Sequence, residues 1–372
     1  MRSEHIFSGA VFAVPGRLET PTGGYEYARQ LIARARARHL PLRHWPLPPL
    51  PVNANGALAD PRIVTEVRDR LSAAPTGWPV LMDGLAFGLM PPEVIAALPC
   101  SVAALIHHPL AEETGLSDTA RASLARSERA ALTTARVVIA TSTHTAETLT
   151  AQYGVAPERL TVARPGTPRP GDGRHGRVLL PELEAGVRLL SVGSLVPRKG
   201  HDVLIDALSS LRDTAWHLTI IGSAERDPAT AAALTAQIER LDLGARVTLT
   251  GDAARADIDR ALAEADVFVL ASHHEGYGMA YAEAMASGLP VLGTTAGAIG
   301  EATRGAAQLV PPGDVDALRG ALAPLIAEPE ARARLAAASR AAAVFLPDWD
   351  ETLDTVLKVL VPLEGMHHFP LH

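Results

Sequence analysis

One cysteine, Cys100, stands among the 372 residues, so no disulfide can form within the chain and an intracellular setting fits. Lying ahead of an apolar run, it reads as a small buried hydrophobe rather than a nucleophile. The chain also lacks any run of about eighteen uncharged apolar residues, the length that spans a bilayer, which leaves peripheral contact as the only membrane association expected. Its first residues, Met1-Arg2-Ser3-Glu4-His5, do not show the basic region and apolar core of a secretory signal. Surplus positive charge is missing too: the net charge is −7, which argues against bulk nucleic-acid binding. No Gly-x-Gly-x-x-Gly follows the first apolar run, which argues against a nicotinamide oxidoreductase.

What is present is a globular chain, 47% hydrophobic and 20% charged, long enough for two domains. Short apolar runs alternate with helical patterns, as in repeated βαβ units with a mostly parallel sheet. The first half offers Ile6 to Val14, Val80 to Met82, Val102 to Ile106, Val137 to Ala140 and Leu160 to Ala163. In the second half the runs are Leu189 to Val192, Leu218 to Ile221, Val247 to Thr250, Val267 to Leu270 and Val291-Leu292. Between the halves, residues 164 to 173 are too rich in proline and glycine for regular structure and read as a linker. The expected domains are residues 1–170 and 174–346, with a final helix near 348–364 carrying Leu353, Val356, Leu357 and Leu360 on one face. Two such halves imply a deep cleft, a favoured place for a ligand.

The most informative stretch is Glu275-Gly276-Tyr277-Gly278-Met279-Ala280-Tyr281-Ala282-Glu283, two carboxylates eight positions apart around a Gly-x-Gly turn. It follows an apolar run and leads into a helix, so it opens at the carboxyl end of a strand, where helix amides favour an anionic group. A second strand, loop and helix begins at Leu189 and carries Gly193, Ser194, Arg198, Lys199 and Gly200. Its adjacent arginine and lysine supply two positive charges where a diphosphate could lie.

Together these residues, with Ala284-Met285-Ala286-Ser287-Gly288-Leu289-Pro290 behind them, resemble the retaining family 4 glycosyltransferases of the GT-B fold. The resemblance is dense in the C-terminal half and looser in the N-terminal half. It implies an α/β architecture of two Rossmann-like domains facing a cleft, the first on the acceptor side and the second holding the donor. The last helix would cross back to the N-terminal domain. It further implies that Arg198 and Lys199 bind the diphosphate of a nucleotide sugar, Glu275 contacts the sugar hydroxyls and Glu283 the ribose hydroxyls. Gly193 and Ser194 would lie along the donor, and the amides of Tyr277, Gly278 and Met279 would hold phosphate or sugar oxygens. Many members have arginine directly after the loop glycine, where this chain has Ser194; Arg198 is expected to supply that charge.

In the N-terminal half Gly23 and Gly24 begin a helix after the first strand and resemble the family's glycine-rich loop near donor phosphate and acceptor. His107 and His108 end the run Val102 to Ile106. A strand-end histidine facing the cleft resembles the family's histidine near the sugar and the attacking hydroxyl, and His107 is the preferred one of the two. Glu112 and Glu113 read as a solvated loop, and Thr141 or Ser142 as a helix cap.

Two Asp-x-Asp pairs, Asp314-Val315-Asp316 and Asp348-Trp349-Asp350, precede helices and read as caps rather than metal ligands. His273-His274-Glu275 has no further ligand cluster beside it, so no metal and no cofactor is expected beyond the nucleotide-sugar substrate. The segment from Arg29 to Trp45 mixes arginines with apolar residues. It suits either an anionic membrane surface or an ordinary solvated helix and loop.

The expected activity is metal-independent hexosyl transfer from a nucleotide-diphosphate sugar to a hydroxyl of a glycan, lipid-linked or small-molecule acceptor, with retention. The expected location is the cytoplasm, with the inner face of the cell membrane as a second setting. A sugar-nucleotide epimerase of similar fold and a non-catalytic sugar-nucleotide-binding protein are the alternatives. Base, sugar, acceptor and oligomeric state are open at this level.

Overall fold

Uninterrupted apolar runs form strands that are buried on both faces, the mark of a parallel sheet. Ala10–Pro15 is the clearest case: all six of its residues are buried. The computed structural model describes residues 7–168 and 186–366. It divides into two units, Met1–Gly166 with Trp349–His372, and Thr167–Asp348.

In the first unit the strands are β1 (Ala10–Pro15), β2 (Leu42–Leu47), β3 (Val80–Asp83), β4 (Val102–Ile106), β5 (Val137–Ala140) and β6 (Leu160–Val162). They form one parallel sheet in the order β2-β1-β3-β4-β5-β6. The second unit holds β7 (Val187–Val192), β8 (Trp216–Ile221), β9 (Val247–Gly251), β10 (Val267–Val269), β11 (Val291–Thr294) and β12 (Gln308–Val310). These too are parallel, in the order β12-β11-β10-β7-β8-β9. Each run read as a strand overlaps one, although Ile6 lies outside the described residues, as do linker residues 169–173 and the tail from 367.

Strands β2 and β12 are additional. Leu42–Leu47 carries Arg43, His44 and Pro46, a composition that only a sheet edge tolerates, because proline cannot donate to a ladder. The loop expected at the end of Arg29 to Trp45 is therefore a strand. The segment's first part belongs to the helix Gly23–Ala37 and its last part is the edge strand β2. Two of its charges are also engaged: Arg29 bonds Glu26 at 2.6 Å, and the Arg43 guanidinium lies 4.9 Å from the Trp78 ring centre. Among the described residues no helix is long and apolar enough to cross a membrane.

The last helix, Trp349–Leu360, belongs to the first unit. Arg34 and Arg38 reach Asp350, and Arg38 also meets Asp354 at 2.7 Å. These pairs are at the surface and worth about 0–1 kcal/mol each. Packing is the larger force: Trp349, Leu353, Val356 and Leu360 are buried, each contributing about 1.5–3 kcal/mol. Trp349 meets Tyr27 edge to face with ring centres 5.5 Å apart, and Thr352 donates to the Arg164 carbonyl at 2.8 Å. Cys100 is buried, which pushes its thiol up to about 11. Trp349→Ala is expected to cost the first unit about 3–5 kcal/mol, read as a fall in its urea midpoint.

Candidate functional site

Strands β7 and β10 are neighbours, so the loops leaving their carboxyl ends lie side by side. That edge is where open α/β sheets bind ligands. Glu275, on the loop after β10, is only 6% exposed. A buried carboxylate needs partners, and it has them: Lys199 Nζ lies 2.6 Å from Oε1, and Arg198 Nη1 3.4 Å from Oε2. The Ser272 hydroxyl donates to Oε1 at 2.7 Å. Burial alone would raise the carboxyl pKa. The Lys199 and Arg198 charges, with the Lys199 and Ser272 hydrogen bonds, outweigh it and hold the value at about 2.

The backbone is drawn into the same cluster. Arg198 donates from Nη1 to the His274 carbonyl, and its own carbonyl accepts the His273 N–H, both at 2.8 Å. The loop from Gly193 to Gly200 is held from below by His201, whose Nε2 lies 3.1 Å from the Gly193 carbonyl. Burial lowers the His201 pKa to about 4, so the neutral ring donates this bond. Ser194 is half-buried, and its carbonyl accepts the Val196 N–H at 2.9 Å.

After Glu275 the chain turns at Gly278, whose φ of +104° is a conformation that glycine alone adopts without strain. That turn starts the helix Met279–Ala286, whose first amides have no side-chain cap. Tyr277 is buried against Ala282 and Ala302, so its ring is a packing element. Glu283 lies in the middle of this helix, 12% exposed, and accepts from Arg255 Nη1 at 2.9 Å.

In the first unit the carboxyl ends of β1, β3 and β4 gather a second set. His107 Nε2 lies 3.4 Å from Asp83 Oδ2, and its ring centre 5.3 Å from that of Tyr27. Gly23 and Gly24 open the helix Gly23–Ala37, and a Cβ on Gly24 would stand 3.3 Å from the His107 ring. A side chain at Gly24 would have to push the ring back by a few tenths of an ångström. His108 turns elsewhere, to Glu113 at 3.6 Å. Ser142 is the cap, accepting the Thr145 N–H at 2.9 Å, while Thr141 donates to the His107 carbonyl at 3.1 Å.

Each set is thus assembled within its own unit: His107 with Gly24, and Arg198 and Lys199 with Glu275. Four partners escaped the sequence reading, namely Asp83, Ser272, His201 and Arg255. Asp83 had a visible signal, an acid closing an apolar run before glycine; it is 3% exposed and its Oδ1 accepts the Leu85 N–H at 2.9 Å. The others had none. The Asp-x-Asp pairs have structural partners: Asp314 caps a helix through the Ala317 N–H, and Asp350 faces Arg34 and Arg38. Among the described residues no group of three His, Cys, Asp or Glu could hold a metal ion.

Residues 182–342 match the family model described as glycosyl transferases group 1. The D-inositol 3-phosphate glycosyltransferase of Rhodococcus opacus is 33% identical over 236 residues, 59% of this chain and 52% of that protein. The chain therefore spans about half the length of the curated relatives it matches. Among solved structures, the sucrose-phosphate synthase of Thermosynechococcus elongatus superposes with a TM-score of 0.77 at 20% identity, covering 94% of this chain and 98% of that one. The Anabaena protein HepE, in complex with UDP and glucose, gives a TM-score of 0.69 at 19% identity, covering 95% and 99%. The fold is that of the GT-B glycosyltransferases.

Removing the Glu275 charge leaves the buried Arg198 and the half-buried Lys199 without it. Glu275→Gln is expected to destabilise the second unit by about 3–5 kcal/mol at neutral pH. The native carboxyl pKa is depressed, so its stabilisation is present above the ordinary carboxyl value near 4.5 and lost as pH falls toward 2. The stability gap between wild type and Glu275→Gln, measured by denaturant unfolding at several pH values, should narrow across that window.

Proposed function

We propose, from a C-terminal segment that matches the family model of the group 1 glycosyltransferases, that this chain moves a hexosyl group from a nucleotide-diphosphate sugar to an acceptor hydroxyl, with retention and without a metal. The observation that carries the proposal is the Lys199-Glu275-Arg198 cluster at the carboxyl edge of β7 and β10. Breaking the glycosidic bond leaves negative charge on the diphosphate. Two cations and the uncapped amides of the helix Met279–Ala286 supply what that charge needs.

Glu275 takes the sugar in this scheme. A carboxyl with a pKa of about 2 is ionised at any working pH, so it cannot serve as a general acid there. It accepts hydrogen bonds, and sugar hydroxyls donate them. Glu283 receives the ribose hydroxyls in the same way.

His107 is the proposed acceptor-side residue, orienting the donor or handling the acceptor proton. Asp83 is the carboxylate nearest to it, at 3.4 Å. Its burial and its bond from Leu85 argue against a nucleophile that forms a glycosyl-enzyme, which supports attack from the leaving-group face. The proposed acceptor is a polyol or glycan hydroxyl, and the inositol phosphate in the Rhodococcus relative's name belongs in the acceptor panel.

Incubation with UDP-, GDP- and ADP-sugars tests the reaction class. Donor consumption that acceptor accelerates supports transfer, whereas an isomerised donor would mean an epimerase. Lys199→Ala is expected to lower kcat/KM by about 10²-fold or more. Glu283→Ala should raise the donor KM by about 10- to 100-fold, and full activity in both variants would defeat the proposal.

Contact of the Arg29 to Trp45 region with an anionic membrane is the second part of the proposal. Because Arg29, Arg34 and Arg38 are paired with carboxylates, the attraction should be weak and salt-sensitive. Cosedimentation with phosphatidylglycerol vesicles at low salt measures it; no binding there removes this part.

A further inference from the structure

Arg255 is the first residue of the helix Arg255–Glu264, just after the loop that leaves β9. Its guanidinium is shared between two carboxylates, Nη1 donating to Glu283 Oε1 at 2.9 Å and Nη2 meeting Asp259 Oδ1 at 2.8 Å. Asp259 is one turn further along the same helix, so the i,i+4 pair aims the arginine. Glu283 stands on a different helix, and this bond ties the two helices together at the ligand-binding edge of the sheet.

A glutamate side chain has several rotamers, and freezing them when a ligand binds costs free energy. A carboxylate that must receive two neighbouring hydroxyls gains if it is oriented beforehand. Arginine suits the task, because its planar fork can hold both acids at once, whereas a lysine ammonium offers a point charge. Both partners keep the Arg255 proton firmly in place: partial desolvation of a side chain still 41% exposed favours its loss, and the charges of Glu283 and then Asp259 outweigh that.

We propose that Arg255 is a positioning residue for nucleotide recognition, fixing the Glu283 carboxylate in the orientation that distinguishes ribose from 2′-deoxyribose. This rests on the ribose role given to Glu283 above. Asp259 orients the arginine in turn, so the three form a relay whose last member meets the nucleotide.

The test is calorimetric binding of UDP, GDP and ADP and of their 2′-deoxy counterparts to the full chain. Wild type is expected to favour the ribonucleotide by about tenfold, the worth of one well-made hydrogen bond. Arg255→Met should bring that ratio below about threefold by weakening the ribonucleotide, and Arg255→Lys should restore part of it. In a Glu283→Gln background, Arg255→Met should leave the ratio unchanged, since its effect passes through the missing carboxylate. A purely structural role would lower the ligand-free unfolding midpoint and weaken both nucleotide series alike. An Arg255→Met ratio equal to that of wild type, or an equal loss in both series, overturns the inference and leaves the donor reading intact. Failure of wild type to bind any of the diphosphates overturns both.

Discussion

A carboxylate cannot remain charged inside a protein unless other charges and hydrogen bonds compensate it, and Glu275 sets the layout of the loops at the carboxyl edge of the second unit's sheet for that reason. Satisfying it requires Lys199, Arg198 and Ser272, residues from two loops far apart in sequence. The constraint spreads through the backbone. The Glu275 carbonyl accepts the Ala298 N–H at 2.9 Å, which brings in the loop after β11, and Arg198 bonds the main chain at His273 and His274. Three strand ends are therefore fixed around one anion. The same cluster that stabilises the loops presents two cations at the edge where a diphosphate is proposed to lie, so stability and binding draw on the same charges.

The first unit solves its equivalent problem with rings instead of ions. Tyr27 is fully buried, and its hydroxyl donates to the Ala163 carbonyl at 3.0 Å. Its ring meets His107 on one side and Trp349 on another. A residue from the last helix is thus two ring contacts away from the proposed acceptor-side histidine, and Gly24 leaves the space that the His107 ring occupies. Edge-to-face pairs of this kind add about 0.5–1.5 kcal/mol each beyond their burial, enough to favour one orientation of a ring. Position in the sequence gives no hint of this chain of contacts.

Much of the fold was legible because parallel strands advertise themselves. Ala10–Pro15, Val102–Ile106 and Val267–Val269 are apolar without alternation, and a strand buried on both faces can hardly be anything else. Leu42–Leu47 was hidden because an edge strand has one protected side and admits arginine, histidine and proline. Gln308–Val310 was hidden because it is a short edge strand that opens on an exposed glutamine. The basic look of Arg29 to Trp45 had a similar cause. Sequence lists the arginines but not the acids of the last helix that answer two of them.

The sequence by itself determined the class of the chain, the strand-loop-helix frames and the residue types set on them: Arg198, Lys199, Glu275, Glu283, Gly24 and His107. These depend on local rules of burial, turn geometry and charge, which act over a few residues. Only the tertiary structure decided who meets whom. That Lys199 spends its charge on Glu275 and that Asp83 faces His107 follow from strand order, because neighbours in a parallel sheet are joined by long crossovers, while Arg255 holds Glu283 between helices that follow two strands not adjacent in the sheet. Partners across such a crossover are separated by tens of residues, a distance over which no local pattern in the chain carries information.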